Sequence, residues 1–169
     1  MNYIELQCKD DLKKFHLPRY NEIPDVGLFL EQTVRYINIH IGKLGNVELT
    51  PSMVSNYVKN KYIPAPVKKQ YQRDHIGYLI FIALAKTVMP LDDISNIFTL
   101  QKEHFTPEIA YNYFCDEFEN IIQFVFGNKD FLKEIGSTNN KERVLLRTVI
   151  ITIAHKIYLD SYLRELKER

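Results

Sequence analysis

The chain has 169 residues, 46% of them hydrophobic and 12% aromatic, and its 22 Lys and Arg nearly balance its 21 Asp and Glu. That composition suits one packed globular core, and no apolar run is long enough for a membrane span. The two cysteines lack a CxxC partner and the first residues lack a secretory-signal pattern, so we expect free thiols in a cytoplasmic protein that binds no membrane.

Two stretches with helical periodicity precede the central region of the chain. A short amphipathic helix is predicted within residues 1–16, where Ile4, Cys8, Leu12 and Phe15 share one face. Pro24 is predicted to open a second helix that the glycines at 42 and 45 end. Its apolar residues keep a 3.6-residue period: Val26, Leu30, Val34, Ile37 and Ile41.

A third helix is predicted to begin at Thr50-Pro51, where a capping oxygen precedes a proline at the first helical position. One face carries small polar residues and a lysine: Ser52, Ser55, Asn56 and Lys59. The opposite side, with Val54 and Val58, must pack on the core. Such a polar face can enter a DNA major groove, because Asn pairs with adenine and Ser reaches bases or phosphates. It can equally be an ordinary solvated helix face.

Positive charge is concentrated beside this helix. Residues 43–75 contain six basic and two acidic residues, against sixteen basic and nineteen acidic in the rest of the chain. Pro64 and Pro66 stop the helix and force an extended path, with a possible hairpin over residues 67–71. Segregated charge next to a polar helix face is typical of phosphate binding, although a lysine-rich loop can also serve solubility alone.

Five further helices are predicted after the loop: Asp74 to Val88, Pro90 to Phe98, Thr106-Pro107 to Phe126, Lys129 to Ile135, and one capped by Asn139 that runs to about Leu166. The first of these is apolar on nearly all sides, which favours a buried central position. The last has Glu142 as a capping-box partner. Its broad apolar stripe predicts packing on the helix that ends at Phe126, or in part a subunit interface.

Two family resemblances rest on these residues. The order of a polar helix with Tyr57, then Ile63-Pro64, Lys69-x-Tyr71 and an apolar helix resembles the winged helix-turn-helix of MerR-type bacterial regulators, over about Thr50 to Ile94. Asn56 and Lys69 stand where that family usually has arginines. The stretches LPRYNEIPDVGLFLEQ and LTPSMVSNYVKNKYIPAPVKKQYQRDHI more closely resemble a family of bacterial proteins catalogued as a domain of unknown function, over Leu17 to Ile97.

The resemblances imply an all-α fold with a MerR-like winged helix-turn-helix over residues 1–100 and a C-terminal helical bundle over residues 101–169 for dimerisation or an effector. They favour a transcriptional regulator that binds double-stranded DNA as a homodimer, with a recognition helix over about residues 51–60 and a basic wing over residues 64–73. The residues predicted to contact DNA are Ser52, Ser55, Asn56 and Lys59 in the groove, Lys61, Lys68, Lys69, Gln70 and Arg73 on phosphates, and Tyr57 and Tyr71, whose rings stack on bases or simply pack.

No signature of catalysis accompanies this pattern. The chain has no HExxH, GxGxxG, GxxxxGK[ST] or GxSxG motif, and no histidine pairs with a cysteine at zinc spacing. We therefore expect no enzymatic activity, metal or cofactor. The alternative function is an all-helical protein-interaction module whose basic patch docks an acidic partner.

Overall fold

A computed structural model describes residues 12–127, 132, 135 and 140–168. This part of the chain is all-helical, with isolated β-bridges but no strand. We label its six α-helices in chain order: α1 Leu30–Ile41, α2 Pro51–Lys59, α3 Arg73–Ala85, α4 Leu91–His104, α5 Pro107–Val125 and α6 Lys141–Glu168. Single 3₁₀ turns lie at Tyr20–Glu22 and Gly42–Leu44. No helix in these ranges combines the length and apolar character that a membrane crossing requires.

Helix α3 is the buried centre of the fold, as its apolar sequence predicts. Every residue from His75 to Ala85 is buried. Gly77 allows a close approach to α5, since a Cβ there would lie 3.2 Å from Cδ2 of Tyr111. The predicted bounds, Asp74 to Val88, were wrong at both ends. Helix α3 starts at Arg73, after Gln72, whose backbone N–H donates to Nδ1 of His75 at 3.0 Å, and it stops at Ala85.

Helix α1 begins later than Pro24, where the sequence pattern places its start. The backbone of Leu28 is extended and exchanges two hydrogen bonds with Tyr71, at 3.0 and 2.7 Å. Because this pairing requires a non-helical backbone, the helix can start only at Leu30, where the side chain of Gln32 accepts from the N–H of Phe29 at 3.0 Å. Val26, predicted for the apolar stripe, is 70% exposed.

The later helices follow the predicted order with shifted ends. Helix α4 continues to His104, beyond the predicted Phe98. Helix α5 is capped as predicted, with the Oγ1 of Thr106 accepting from the N–H of Ile109 at 3.3 Å. Helix α6 is capped by Asn140 instead of Asn139, because Oδ1 of Asn140 accepts from the N–H of Arg143 at 2.9 Å. The helix predicted over Lys129 to Ile135 lies outside the described residues, apart from Leu132 and Ile135. Of the helix predicted within residues 1–16, only residues 12–16 are described; they are helical at 12 and 13 only, and Leu12 and Phe15 are buried as predicted.

Helices α5 and α6 pack against each other, which confirms the packing predicted for the last helix. The ring centroids of Phe126 and Tyr158 are 5.4 Å apart at 63°. An ion pair spans the two helices, with Nε of Arg147 3.2 Å from Oε1 of the fully buried Glu117. This side of the molecule therefore combines apolar packing with a buried charge pair.

The connector before α1 is tied to α5 through Arg19. Its guanidinium donates to both carboxylate oxygens of Glu119, at 2.7 and 2.8 Å, and a third contact joins it to Asp116 at 2.7 Å. These hydrogen bonds raise the pKa of Arg19 above its ordinary value. A bidentate charge pair of this kind fixes orientation as well as adding stability.

Cys115 is expected to be inert in the folded protein. Its side chain is fully buried, and burial raises the pKa of the thiol to about 12. In a Cys8→Ser background, where Cys115 is the remaining thiol, we expect no reaction with 5,5′-dithiobis(2-nitrobenzoate) at pH 8 and complete reaction in guanidinium chloride. Fast labelling of the native protein would contradict the buried position.

Candidate nucleic-acid interface

The polar face of α2 points away from the core. Ser52, Ser55, Asn56 and Lys59 are all exposed, while Val54 and Tyr57 on the other side are buried. The helix is capped as predicted, with Oγ1 of Thr50 accepting from the N–H of Met53 at 3.2 Å. A short amphipathic helix thus offers small hydrogen-bonding side chains to a partner.

Asn38 holds the segment that leads into α2. Its side chain donates from Nδ2 to the carbonyl of Leu49 at 2.8 Å, and its Oδ1 accepts from the Leu49 N–H at 2.9 Å. These two hydrogen bonds tie the start of α2 to α1 across the long link between the helices. In the sequence, Asn38 is a polar residue outside the apolar stripe of α1. Nothing else in the sequence indicated that it bonds to Leu49.

Lysine stands at the turn that ends α2, where helices usually have glycine. The N–H of Lys61 donates to Val58 O at 3.0 Å and the N–H of Tyr62 donates to Tyr57 O at 2.9 Å. This is the Schellman pattern, in which the residue after the C-cap adopts a left-handed backbone. Lys61 has φ 60° there and its side chain is exposed.

A tight turn projects two more lysines from the loop between α2 and α3. Val67 and Gln70 exchange backbone hydrogen bonds of 3.0 and 2.9 Å. Between them, Lys68 and Lys69 have φ of 50° and 64°. Positive φ at both central residues is typical of the type I′ turn, which normally selects Asn-Gly. We call residues 64–72 the wing, which ends one residue earlier than predicted because α3 begins at Arg73; both of its lysines are exposed.

Three contacts anchor the base of the wing to the core. The backbone of Tyr71 pairs with Leu28, and its ring, buried in the core, lies edge-on to His75 at 5.6 Å. Nδ1 of His75 accepts from the Gln72 N–H, so the ring proton is on Nε2. Nε2 therefore donates to the carbonyl of Ala65, 3.2 Å away. The wing is therefore held at both ends of its turn.

The predicted DNA-contacting residues differ in exposure. Seven are exposed on one continuous stretch of the chain: Ser52, Ser55, Asn56, Lys59, Lys61, Lys68 and Lys69. Tyr57 and Tyr71 are buried, so the packing interpretation of their rings applies. Gln70 is half-buried. Arg73, also half-buried, is bonded to other parts of the protein: its Nε donates to Ile23 O at 2.7 Å, and Asp25 lies 3.5 Å from its guanidinium.

Two charged side chains from other parts of the chain, Lys86 and Asp92, lie beside α2 and the turn that follows it. Nζ of Lys86 lies 3.5 Å from the hydroxyl of Tyr57 and 3.4 Å from the carbonyl of Glu48, and burial lowers the pKa of this lysine. The hydroxyl of Tyr62 donates to the carboxylate of Asp92 at 2.8 Å. We call the exposed side chains of α2, Lys61 and the wing the basic surface. The carboxylate of Asp92, at the start of α4, borders this surface, and Lys86 packs against Met53 and Tyr57 of α2. Neither contact is visible in the sequence, because each joins residues far apart along the chain.

The family model described as Domain of unknown function (DUF1836) matches residues 18–114, more than half of the chain. The chain belongs to this family. The match confirms the resemblance to a family of unknown function and covers α1 to α4, the wing and the first part of α5. No curated protein and no solved structure matches the chain. The family region therefore contains all of α2 and the wing, whereas α6 lies beyond it.

Gly27 is expected to be essential for the position of the wing. A Cβ at this residue would lie 2.6 Å from Cβ of Gln70 and 2.8 Å from Nε2 of Gln72, so Gly27→Ala must displace the wing. We expect a loss of about 1–3 kcal/mol in unfolding free energy. Backbone amide shifts in a heteronuclear NMR spectrum should change mainly in residues 26–29 and 64–72. Gly42→Ala, where the added Cβ meets no atom within 4 Å, is the matched control. Unchanged wing resonances in Gly27→Ala would contradict this contact.

Proposed function

We propose that this protein is a cytoplasmic DNA-binding transcriptional regulator with a MerR-like winged helix-turn-helix. In this proposal α2 enters the major groove of duplex DNA, and the lysines that follow it contact the phosphates on either side. The order of a polar helix, a loop with a two-residue turn and a buried helix supports the assignment. The link between α1 and α2 is longer than in a tight helix-turn-helix, and Asn38 compensates by fixing its end.

The observation that carries the proposal is the backbone conformation of three lysines. Within the described residues, every non-glycine residue with positive φ is a lysine of this surface: Lys61, Lys68 and Lys69. A left-handed backbone costs an L-residue such as lysine about 1 kcal/mol relative to glycine. Strain of this kind is concentrated at functional sites, where side-chain chemistry outweighs local preference. Three exposed cations held at such positions favour binding of a polyanion.

Base recognition in this proposal depends on Asn56. Nδ2 of Asn60 donates to Oδ1 of Asn56 at 2.8 Å and to its backbone carbonyl at 2.9 Å. This hydrogen bond orients the amide of Asn56 before DNA arrives. An oriented asparagine can form the bidentate pair with adenine that is worth about 1–3 kcal/mol of discrimination. Asn60 thus positions the amide of Asn56, a role that no sequence pattern indicated.

A homodimer is part of the proposal, and α6 offers a surface for it. Exposed or half-exposed side chains are spaced alternately four and three residues apart along this helix: Thr148, Thr152, His155, Leu159, Tyr162 and Leu166. The hydroxyls of Thr148 and Thr152 donate to carbonyls one turn earlier, each at 2.8 Å. Because both threonine hydroxyls already donate within the helix, their methyl groups and the exposed Leu159 and Leu166 form an apolar surface on this face. A heptad spacing of this kind suits pairing with the same helix of a second copy.

The proposal is tested by selection from random duplexes. The wild-type protein should enrich one sequence motif, and Asn56→Ala should lose preference at one base pair while retaining general affinity. Asn96→Ala, which removes an exposed asparagine from α4, should enrich the wild-type motif. Absence of any enriched motif would contradict the proposal and favour the protein-interaction module. An unchanged motif for Asn56→Ala would contradict the groove role of α2.

A further inference from the structure

A cavity of about 310 Å³ lies between α3, α4, α5 and the start of α6. Its walls are largely aromatic: Tyr78, Phe81, Phe98, Phe105, Tyr111 and Phe114. Small-molecule sites in proteins begin at about this volume and are lined mainly by apolar and aromatic side chains. The cavity therefore has the size and surface of a ligand site.

The aromatic wall is held in place before any ligand binds. The ring centroids of Tyr78 and Phe98 are 4.8 Å apart, those of Phe81 and Phe98 5.5 Å, and those of Phe81 and Phe114 5.1 Å. Edge-to-face and tilted pairs at these distances are mutually favourable. Because the rings are fixed by one another, a ligand would enter a preformed space with little cost of ordering it.

Several polar groups of the cavity lining are hydrogen-bonded within the protein. The hydroxyl of Tyr20 donates to Asp74 at 2.7 Å, and Arg73 donates to the carbonyl of Ile23. On α6, Nε of Arg143 donates to the hydroxyl of Tyr113 at 3.0 Å. The cationic and anionic side chains of the lining are equal in number, with Arg73 and Arg143 opposite Asp74 and Glu142. The lining thus favours a ligand without net charge.

Apolar side chains at the mouth remain exposed to solvent. Phe105 is 40% exposed, Ile109 57% and Leu145 39%. Exposed apolar groups around a concave apolar surface are typical of binding sites, since a ligand removes them from water. The same cavity touches Arg73 and Asp74 in the first turn of α3, directly after the wing.

We propose that this cavity is a binding site for an uncharged, apolar small molecule of aromatic or aliphatic character. Such a ligand would fill the space between the aromatic walls and cover Phe105, Ile109 and Leu145. Its affinity would come mainly from the burial of apolar surface, because the polar groups of the lining keep their present partners. None of the cavity's lining residues belongs to α2 or the wing, so the proposal does not depend on DNA binding.

The test uses N-phenyl-1-naphthylamine, an uncharged probe whose fluorescence rises in apolar surroundings. We expect saturable binding by the full chain, and at least a tenfold weaker Kd for Ala110→Phe, which places a ring in the cavity from its half-buried wall position. Ile109→Glu, at an exposed rim position that folding should tolerate, is expected to weaken binding similarly. Val26→Glu introduces the same charge at an exposed position outside the cavity and should bind the probe like the wild type.

Several outcomes would overturn the proposal. One is no saturable fluorescence change with the wild type, and another is wild-type affinity in both Ala110→Phe and Ile109→Glu. Tighter binding of the anionic analogue 8-anilinonaphthalene-1-sulfonate than of the uncharged probe would refute the ligand class. If light scattering showed that Ile109→Glu converts a dimer that excludes the probe into a monomer, a second copy of the chain would be the occupant instead.

Discussion

The triple variant Lys61→Gly/Lys68→Asn/Lys69→Gly is expected to be more stable than the wild type and to lose most of its affinity for duplex DNA. Glycine suits the left-handed C-terminal position of α2, and Asn-Gly suits the turn of the wing. Relief of the three positive-φ positions should add about 2–3 kcal/mol to the unfolding free energy. Removal of the three proposed phosphate contacts should weaken binding roughly 10²–10³-fold at about 0.1 M salt.

These two effects are measured by urea denaturation and by fluorescence anisotropy with a labelled duplex. A variant that binds less while folding better cannot owe its loss of affinity to misfolding. The control is Lys14→Gln/Lys141→Gln/Lys167→Gln, which removes the same charge from exposed lysines outside the wing and α2. If the control weakened binding as much as the triple variant, the loss would reflect net charge alone and the role of the three positions would be wrong.

Replacement of Arg147 by methionine is expected to cost about 3–5 kcal/mol of unfolding free energy. Arg147 is the partner of the fully buried Glu117, so its loss leaves a carboxylate in the core between α5 and α6 without the arginine. Removal of one member of a buried pair is costly because the other charge stays desolvated. Urea denaturation at neutral pH should show the change as a lower midpoint with a similar slope.

The double variant Glu117→Leu/Arg147→Met should recover most of this stability, since an apolar pair of similar volume needs no charge compensation. Lys156→Met is the control on the same helix. It removes the partner of Asp160 from a partly exposed pair within α6, which should contribute less than about 1 kcal/mol. Equal losses for Arg147→Met and Lys156→Met would show that burial does not govern the ion pair.

Features set by neighbouring residues were predicted well from the sequence. The caps at Thr50 and Thr106 depend on a side-chain oxygen and the amide three residues later, and both were correct. The buried position of α3 followed from its apolar composition. In each case a few consecutive residues contain the whole physical cause.

Features that depend on distant parts of the chain were missed. The start of α1 is decided by the pairing of Leu28 with Tyr71, which no local pattern reveals. Arg73 was counted with the basic loop, but the carbonyl of Ile23 and the carboxylate of Asp25 face its guanidinium in the fold. The cavity is likewise formed by residues from four helices. Only the folded chain brings these groups together.

The conformation of the wing lysines was missed for a different reason. A type I′ turn is recognised in a sequence by Asn-Gly, and Lys68-Lys69 breaks that local rule. The hairpin itself was predicted near Val67 to Tyr71, because the two prolines before it favour an extended chain. The departure from the usual turn residues is the feature that most strongly favours a functional role for these lysines.

The salt dependence of duplex binding tests the central claim most directly. If Lys61, Lys68 and Lys69 contact phosphates and Lys59 adds its charge from the groove helix, a plot of log K against log salt for the wild type between about 50 and 200 mM should have a slope of about −3 to −4. The triple variant should flatten that slope to about −1. No measurable duplex binding by the wild type at about 50 mM salt, or a slope that the triple variant leaves unchanged, would contradict the assignment of this surface to DNA.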